Sequence, residues 1–138
     1  MAGRDCICSE GAESNPRGTV LLVDDDADVL EIAQEMLERL GFEVHAASQG
    51  SDALAWLRVH PGPVAAALLD LAMPGMSGGD VARELQRIRP STPILIMSGF
   101  REEFARGRLP QDLRVLFLQK PFTREQLART LRTVGGVA

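Results

Sequence analysis

The sequence predicts an α/β protein in which five parallel strands form one sheet that helices cover on both faces. Short apolar runs alternate with longer amphipathic stretches five times along the chain, which is the pattern of repeated strand–helix units. Three of the apolar runs are uninterrupted, as expected for strands buried on both faces. The chain has 138 residues and is 45% hydrophobic, which fits one globular domain rather than two.

Each strand is predicted where an apolar run stops at a polar or turn-forming position. The five runs are residues 19–23, 42–47, 64–69, 93–97 and 115–118. Successive parallel strands need a crossover connection, so a helix is expected after each of them.

The first three helices are predicted from apolar residues at helical spacing. In the first helix these residues are Val29, Ile32, Ala33, Met36, Leu37 and Leu40, and in the third they are Val81, Ala82, Leu85 and Ile88. Asp26 is expected to open the first helix, where the helix dipole favours an acidic side chain, and Gly41 to end it. The second helix is expected over residues 51–59, closed by Pro-Gly-Pro at 61–63.

The last two helices differ in how clearly the sequence encodes them. Gly107 and Pro110 interrupt the helical period after the fourth strand, so the helix there is weakly specified. Thr123 opens the last helix and is expected to form a capping box with Gln126, three residues further on.

Composition and charge exclude several classes of function. The 19 acidic and 15 basic side chains give a formal charge of −4, which argues against nucleic acid as the direct partner. No apolar run approaches the roughly 18 residues of a membrane span, so no membrane contact is expected. The first residues lack the apolar segment of a signal peptide, and a cytoplasmic location is therefore expected.

Residues 1–17 are expected to form a flexible leader, and residues 18–136 the folded domain. The leader is rich in Gly, Ser and Glu and contains both cysteines, Cys6 and Cys8. A metal site at these cysteines would need further Cys or His ligands, which the sequence does not place near them.

Polar side chains follow four of the five predicted strands. They are Asp24 and Asp25 after the first, Asp70 after the third, Ser98 after the fourth and Lys120 after the fifth. Because ligands bind beyond the carboxyl ends of parallel strands, these groups are expected to share one site. Three close carboxylates suit Mg²⁺, and a carboxylate can accept a phosphoryl group as a nucleophile. An ammonium and a hydroxyl group would offset the phosphoryl charge.

Four segments of the chain resemble the receiver domain of two-component response regulators. They are VDDD at 23–26, LLDLAMPGM at 68–76, IMSG at 96–99 and FLQKPF at 117–122. The resemblance runs over residues 19–134. It implies a doubly wound, flavodoxin-like fold with strand order 2-1-3-4-5.

The resemblance also implies roles for individual residues. Asp70 resembles the aspartate that accepts a phosphoryl group from a histidine kinase, and Lys120 the lysine that binds the phosphoryl group. Asp25 looks like a direct Mg²⁺ ligand, Asp24 like one that acts through a metal-bound water, and the backbone carbonyl of Ala72 would complete the protein's share of the coordination.

Two further positions resemble the switch residues of the family, and these are Ser98 and Phe117. The resemblance implies that phosphorylation draws Ser98 inward, that Phe117 follows, and that the contacts of the protein with its partners change. It also implies a cis peptide bond between Lys120 and Pro121. The expected function is therefore that of a signalling switch rather than an enzyme, with only self-catalysed phosphoryl transfer and slow autodephosphorylation.

The expected partners are a cognate histidine kinase or phosphotransfer protein, and a downstream protein or fused domain. The wording FLQKPFTREQL at 117–127 is similar to receivers attached to hybrid histidine kinases, while a homodimer is left open. Two alternatives remain. One is a receiver-like scaffold that binds partners without phosphorylation. The other is a phosphatase of the haloacid dehalogenase type, in which Asp24 and Asp26 would mimic the Asp-x-Asp nucleophile, although the chain has no room for a cap domain.

Several residues are expected to have ordinary structural roles. They are His45 and His60, Trp56 as a partly buried helix residue, and Arg83, Arg87 and Arg89 as a solvent-exposed helix face. Ala72 and Phe100 lack polar atoms that could orient an attacking water near Asp70, so slow hydrolysis of a phosphorylated Asp70 is expected.

Overall fold

Five parallel strands alternate with five helices in the part of the chain that the computed structural model describes, residues 17–133. The strands are β1 (Thr19–Val23), β2 (Glu43–Ala47), β3 (Ala66–Asp70), β4 (Ile94–Ser98) and β5 (Leu116–Gln119). The helices are α1 (Ala27–Arg39), α2 (Gly50–Val59), α3 (Gly78–Ile88), α4 (Glu102–Arg106) and α5 (Arg124–Thr133). None of these helices is long and apolar enough to cross a bilayer.

The strands form one sheet in the order β2-β1-β3-β4-β5, and each neighbouring pair is parallel. The predicted fold class and strand order are both confirmed. The leader expected at residues 1–17, with Cys6 and Cys8, lies outside the described residues except for Arg17.

The core consists of two apolar layers, one on each face of the sheet. Side chains alternate along a strand, so Leu21 and Val23 of β1 enter the layer under α2 and α3, whereas Val20 and Leu22 enter the layer under α1 and α5. Burial of one such leucine or valine contributes about 2 kcal/mol. Because both faces are covered, β1, β3 and β4 have no exposed residue.

Three helices begin with side-chain caps. The carboxylate of Asp26 accepts hydrogen bonds from the backbone N–H groups of Asp28 and Val29, as expected of the residue that opens α1. The predicted box of Thr123 and Gln126 is present, with bonds of 3.1 and 2.8 Å between each side chain and the other backbone N–H. A second capping box, in which Ser77 pairs with Asp80, opens α3 and was not predicted.

Strand boundaries differ from the prediction by one or two residues. The predicted third strand begins at Val64, but β3 begins at Ala66. The Val64 carbonyl, just before the strand, accepts a hydrogen bond from the Thr92 hydroxyl. At the other end β3 includes Asp70, and β4 likewise includes Ser98. Both site residues are therefore held in the hydrogen-bonded ladder rather than in the loops that follow.

The expectation for Arg89 was wrong. Arg83 and Arg87 are exposed, but Arg89 lies just beyond α3 and its guanidinium donates hydrogen bonds to three carbonyl oxygens. The acceptors belong to Leu57, His60 and Gly62, at the end of α2 and in the connection to β3. The helix period ends before Arg89, so its side chain turns away from the solvent-exposed face and joins α3 to the end of α2.

Candidate functional site

Buried polar side chains are concentrated at the carboxyl edge of the sheet. Within residues 17–133 the buried polar or charged residues are Thr19, Asp24, Asp70 and Ser98. Asp24 directly follows β1, whereas Asp70 and Ser98 are the last residues of β3 and β4. The last three thus lie at the ends of three adjacent strands, as predicted.

Backbone hydrogen bonds fix the relative positions of these strand ends. The Leu71 N–H donates to the Met97 carbonyl at 2.9 Å, which continues the β3–β4 ladder just past Asp70. The Lys120 N–H donates to the Ser98 carbonyl at 2.7 Å, which does the same for β4 and β5. The polar side chains are therefore carried by a rigid part of the sheet.

The ammonium of Lys120 bridges two aspartates. Its Nζ lies 2.9 Å from Oδ2 of Asp24 and 3.0 Å from Oδ1 of Asp70. The Asp24 side chain is only 1% exposed, and its second oxygen accepts a hydrogen bond from the Asp26 N–H. Because the Asp24 carboxylate is almost inaccessible to solvent, its charge needs a cationic partner. Without Lys120, burying this charge would carry a large desolvation cost.

Burial and neighbouring charges shift the pKa of two groups in the site. Burial is the main reason that the pKa of Asp70 is raised above its ordinary value, and the charges of Asp24 and Asp25 add to it, while Lys120 opposes the rise. Burial lowers the pKa of Lys120, but the hydrogen bonds and charges of Asp24 and Asp70 outweigh it and leave that pKa raised. Lys120 is therefore cationic at neutral pH.

The donor set fits a divalent cation with a preference for oxygen. Asp24, Asp25 and Asp70 each offer one carboxylate oxygen, and these oxygens lie within 4.8 Å of one another. Asp25 is exposed and makes no ion pair with any residue between 17 and 133, so its carboxylate is available to a ligand. Several hard oxygen donors of which one faces solvent are what Mg²⁺ prefers, because it retains part of its water shell.

The connection between β3 and α3 is shaped around Asp70. Gly75 has φ +76°, a conformation that favours glycine, and Met73 is buried in the apolar layer below. At Gly78 an added Cβ would overlap the carbonyl oxygen of Asp70, so only glycine permits this approach of α3 to β3. These contacts hold the connection between β3 and α3 close to Asp70.

The hydroxyl of Ser98 is directed to the following loop. Its Oγ accepts a hydrogen bond of 3.0 Å from the Phe100 N–H. A cavity of about 120 Å³ lies between Ser98 and Phe117. Phe117 is half-buried, and the guanidinium carbon of Arg106 lies 4.7 Å from the centre of its ring. The two predicted switch residues, Ser98 and Phe117, thus line the same cavity, and the Arg106 guanidinium covers the ring of Phe117.

Two arrangements, one beside Phe117 and one on β2 and α2, were not predicted. The contact of Arg106 with Phe117 was not predicted. An arginine in the helix that precedes an aromatic strand residue is a pattern from which such a cation–π contact could have been suggested. Trp56 is half-buried as expected, but its indole lies stacked between His45 and His60, with ring centres 4.4 and 4.3 Å away. Burial first, and the neighbouring His60 second, lower the pKa of His45. The remaining site residue, Ala72, follows Asp70 by two positions in the loop before α3.

Comparison with known proteins adds three findings. The family model described as "Response regulator receiver domain" matches residues 20–132. The sensor kinase CckA of Brucella abortus is 32% identical over 132 residues, which are 96% of this chain and 14% of that protein. The C4-dicarboxylate transport transcriptional regulatory protein DctD of Rhizobium meliloti is 30% identical over 83% of this chain and 24% of its own length.

A solved structure shows the same architecture. The response regulator receiver domain protein from Clostridium thermocellum superposes with a TM-score of 0.77 at 25% identity, covering 85% of this chain and 93% of that one. The chain spans about a quarter or less of the two curated relatives described above.

Proposed function

The chain belongs to the response regulator receiver domain family of two-component signalling, and from this membership we propose that it accepts a phosphoryl group on Asp70 and changes conformation in response. The observation that carries the proposal is the bridge from Lys120 to both Asp24 and Asp70, with Asp25 exposed beside them. This arrangement joins a nucleophile, a fixed cation and oxygen donors within one small site.

Phosphoryl transfer is a substitution at phosphorus. A carboxylate oxygen of Asp70 forms a bond to the phosphorus of a phosphohistidine on a kinase or phosphotransfer protein. The P–N bond breaks, the electron pair stays on the imidazole nitrogen, and that nitrogen takes a proton from solvent. The ammonium of Lys120, now 3.0 Å from Asp70, contacts a phosphoryl oxygen as charge accumulates there.

A divalent cation completes this scheme. Asp25 and Asp70, with the backbone carbonyl of Ala72, would hold Mg²⁺ directly, and Asp24 would contact it through water. When bound, Mg²⁺ offsets the negative charge of the phosphoryl oxygens and of the three carboxylates. The protein's own contribution is to hold the oxygens of Asp24, Asp25 and Asp70 close together before the donor arrives.

The response to phosphorylation starts at Ser98. Its oxygen accepts from the Phe100 N–H before phosphorylation, and its O–H donates to a phosphoryl oxygen once Asp70 is phosphorylated, which draws the end of β4 and its loop inward. Phe117 then turns into the cavity of about 120 Å³ that it shares with Ser98. That movement separates Phe117 from the Arg106 guanidinium and changes the surface formed by α4 and β5.

The partners follow from the same scheme. A histidine kinase or a phosphotransfer protein supplies the phosphoryl group, and a downstream protein or a fused domain responds to the changed surface. One relative described above is a sensor kinase and the other is a transcriptional regulator. A receiver of this kind is therefore compatible with a place in either class of protein.

The scaffold alternative is disfavoured, because the three carboxylates and the ammonium that phosphoryl transfer would need are all present and lie close together. The phosphatase alternative requires Asp24 as the nucleophile. Asp24 is buried and held by Lys120 and by the Asp26 N–H, so it is poorly placed to attack a substrate.

Beryllofluoride, an analogue of a phosphoryl group, tests the switch directly. With Mg²⁺ present, addition of beryllofluoride is expected to shift the backbone NMR signals of Ser98, Phe117 and Arg106. Asp70→Asn is expected to show no shift. Ser98→Ala is expected to bind the analogue yet leave the signals of Phe117 and Arg106 in place. Absence of any shift in the unmodified protein would favour the scaffold.

A further inference from the structure

His45, Trp56 and His60 form a stack of three rings at one side of the sheet. His45 belongs to β2, Trp56 to α2, and His60 is the residue that directly follows α2. The ring centres of His45 and Trp56 lie 4.4 Å apart with an angle of 7° between the ring planes, and those of Trp56 and His60 lie 4.3 Å apart with an angle of 20°. One indole is thus held between two imidazoles that can each take up a proton.

The stack connects the outer strand of the sheet to the helix above it. In the described part of the chain β2 has β1 as its neighbour on one side only, and four of its five residues are at least partly exposed. His45 pairs with Leu21 in the sheet register and therefore shares the face that α2 covers. The contact of His45 with Trp56 is thus a link between β2 and α2.

The helix side of this link is fixed to the next crossover. Three carbonyl oxygens at the end of α2 and just beyond it accept hydrogen bonds of 2.6 to 3.3 Å from the Arg89 guanidinium, and they belong to Leu57, His60 and Gly62. Because these bonds use backbone oxygens, they do not depend on the charge of the His60 imidazole. If the stack weakens, β2 is therefore the element that is released.

Few charged groups surround the two imidazoles. β1 contributes none. None of the charged side chains on the other elements forms an ion pair with His45 or His60 within 4.0 Å, as far as residues 17–133 are concerned. A proton on either imidazole thus has no counterion in contact. The charged side chains that face the stack, by strand alternation, helical spacing or a direct contact, are Glu43, Asp52, Arg58, Glu84 and Arg89.

Two effects oppose protonation of His45. Burial is the larger cause of its lowered pKa, and the charge of His60 on the other side of the indole is the second. The face of an indole attracts a cation, which by itself would favour protonation. Here each face of Trp56 carries an imidazole, so a second proton is repelled by the first. The stack is therefore most stable when it is not fully protonated.

We propose that this stack is a proton-sensitive contact, which holds β2 against α2 while the imidazoles are neutral and releases β2 when both are protonated. The contact does not involve phosphoryl transfer and therefore goes beyond the proposed function. β2 also connects it to the carboxyl edge of the sheet, since the Ala47 carbonyl accepts a hydrogen bond of 3.2 Å from the Asp24 N–H. Mild acid is therefore expected to loosen the end of β2 beside Asp24.

An NMR titration of the imidazole signals, together with Trp56 fluorescence, tests the contact in the unmodified protein. Trp56 is the only tryptophan of the chain, so its fluorescence reports on the stack. His45 is expected to titrate below the ordinary range of histidine, and the fluorescence to change with the same midpoint. His60→Phe keeps a ring on Trp56 and is expected to raise the His45 midpoint without bringing it to the ordinary range, because burial is the larger cause. A His45 midpoint at or above that range would overturn the proposal, because Trp56 would then favour the cation.

Stability supplies a second readout. The lowered pKa of His45 means that the folded protein binds this proton less tightly than the unfolded chain, so stability is lost as the pH falls from the unfolded-state pKa through the folded-state pKa. Between pH 7 and about pH 5 the urea midpoint of the unmodified protein is expected to fall by more than that of His45→Phe, which keeps the ring but does not titrate. Other titrating groups are common to both proteins and cancel in this comparison. Equal losses in the two proteins would contradict a role of His45.

Amide hydrogen exchange distinguishes a loosened β2 from a general loss of structure. After correction for the intrinsic effect of pH, protection of the Asp24 N–H is expected to fall in the unmodified protein from pH 7 to about pH 5, and less in His45→Phe. The Leu71 N–H, which donates to the Met97 carbonyl between β3 and β4, is the internal control and is expected to lose less protection. An equal loss at both amides, or an undiminished loss at Asp24 in His45→Phe, would show that the effect of acid does not pass through the stack.

Discussion

The ammonium of Lys120 lies 3.0 Å from Asp70 and 2.9 Å from Asp24, so one cation directly after β5 neutralises carboxylates at the ends of β3 and β1. The contact spans 96 residues of sequence to Asp24 and closes the carboxyl edge of the sheet. Lys120 thereby has a structural role in the absence of a ligand as well as the proposed role during phosphoryl transfer.

Replacing Lys120 is expected to destabilise the protein. Lys120→Met keeps much of the packing of the stem but leaves Asp24 buried without a counterion, which costs about 2 kcal/mol or more of unfolding free energy. Urea unfolding without Mg²⁺ measures this loss. Arg39→Met is the control, because its ion pair with Glu35 is about 60% exposed on both sides and is expected to contribute less than about 0.5 kcal/mol. Equal effects of the two variants would contradict a structural role of Lys120.

Replacing Asp70 is expected to have the opposite effect. Its pKa is raised in the folded state, so the folded protein binds the proton more tightly than the unfolded chain, and the ionised form lowers stability at neutral pH. That penalty disappears as the pH falls through the folded-state pKa towards the ordinary value. Asp70→Asn is therefore expected to be more stable than the unmodified protein at pH 7 without Mg²⁺, and the difference should shrink in acid.

Urea unfolding at several pH values measures this difference. Saturating Mg²⁺ is expected to reverse the order of stability, since the cation stabilises the unmodified protein more than Asp70→Asn. A lower urea midpoint for Asp70→Asn at pH 7 without Mg²⁺ would show that the contact with Lys120 outweighs the burial of the charge.

Gly78 tests how closely α3 approaches Asp70. Helix propensity alone favours alanine at the first position of α3 by up to about 1 kcal/mol. The overlap of a new Cβ with the backbone of Asp70 and Leu71 is expected to dominate, so Gly78→Ala should lose about 2 kcal/mol or more. Gly99→Ala is the matched control, since its Cβ would meet no heavy atom within 4 Å. If Gly78→Ala were more stable than the unmodified protein, the connection between β3 and α3 would have to shift at little cost to accommodate the new Cβ.

The phosphorylated protein is expected to be long-lived. Ala72 and Phe100 present no polar side-chain atom that could orient a water molecule for attack on the acyl phosphate. The decay of the phosphorylated protein in Mg²⁺, after removal of the donor, measures the lifetime. Ala72→Asn and Phe100→Gln should shorten it by supplying such an atom. Loss of the phosphoryl group within a few seconds in the unmodified protein would contradict this expectation.

The sequence predicts the site well because its groups lie at strand ends. A parallel sheet brings the carboxyl ends of its strands to one edge, so Asp24, Asp70, Ser98 and Lys120 could be placed together from position alone. What sequence position does not determine is the partner of each group. That Lys120 contacts both Asp24 and Asp70, and that the Ser98 hydroxyl accepts from the Phe100 N–H, depends on rotamers and on the exact end of each strand.

Side-chain contacts between elements that are separate in sequence were not predicted either. Arg89 reaches the end of α2, and His45 and His60 stack on the two faces of Trp56, because of how the helices pack on the sheet. Helical or strand periodicity identifies which side of an element is buried. To predict a contact between two elements, their relative position and orientation in the fold must also be known.

Mass spectrometry after incubation with a small phosphoryl donor and Mg²⁺ tests the central claim most directly. Acetyl phosphate or phosphoramidate is expected to add one phosphoryl group, which peptide mapping locates at Asp70 and which is absent in Asp70→Asn. No adduct with either donor, an adduct that persists in Asp70→Asn, or steady turnover of a small phosphate ester would contradict the claim that Asp70 is the acceptor of a signalling switch.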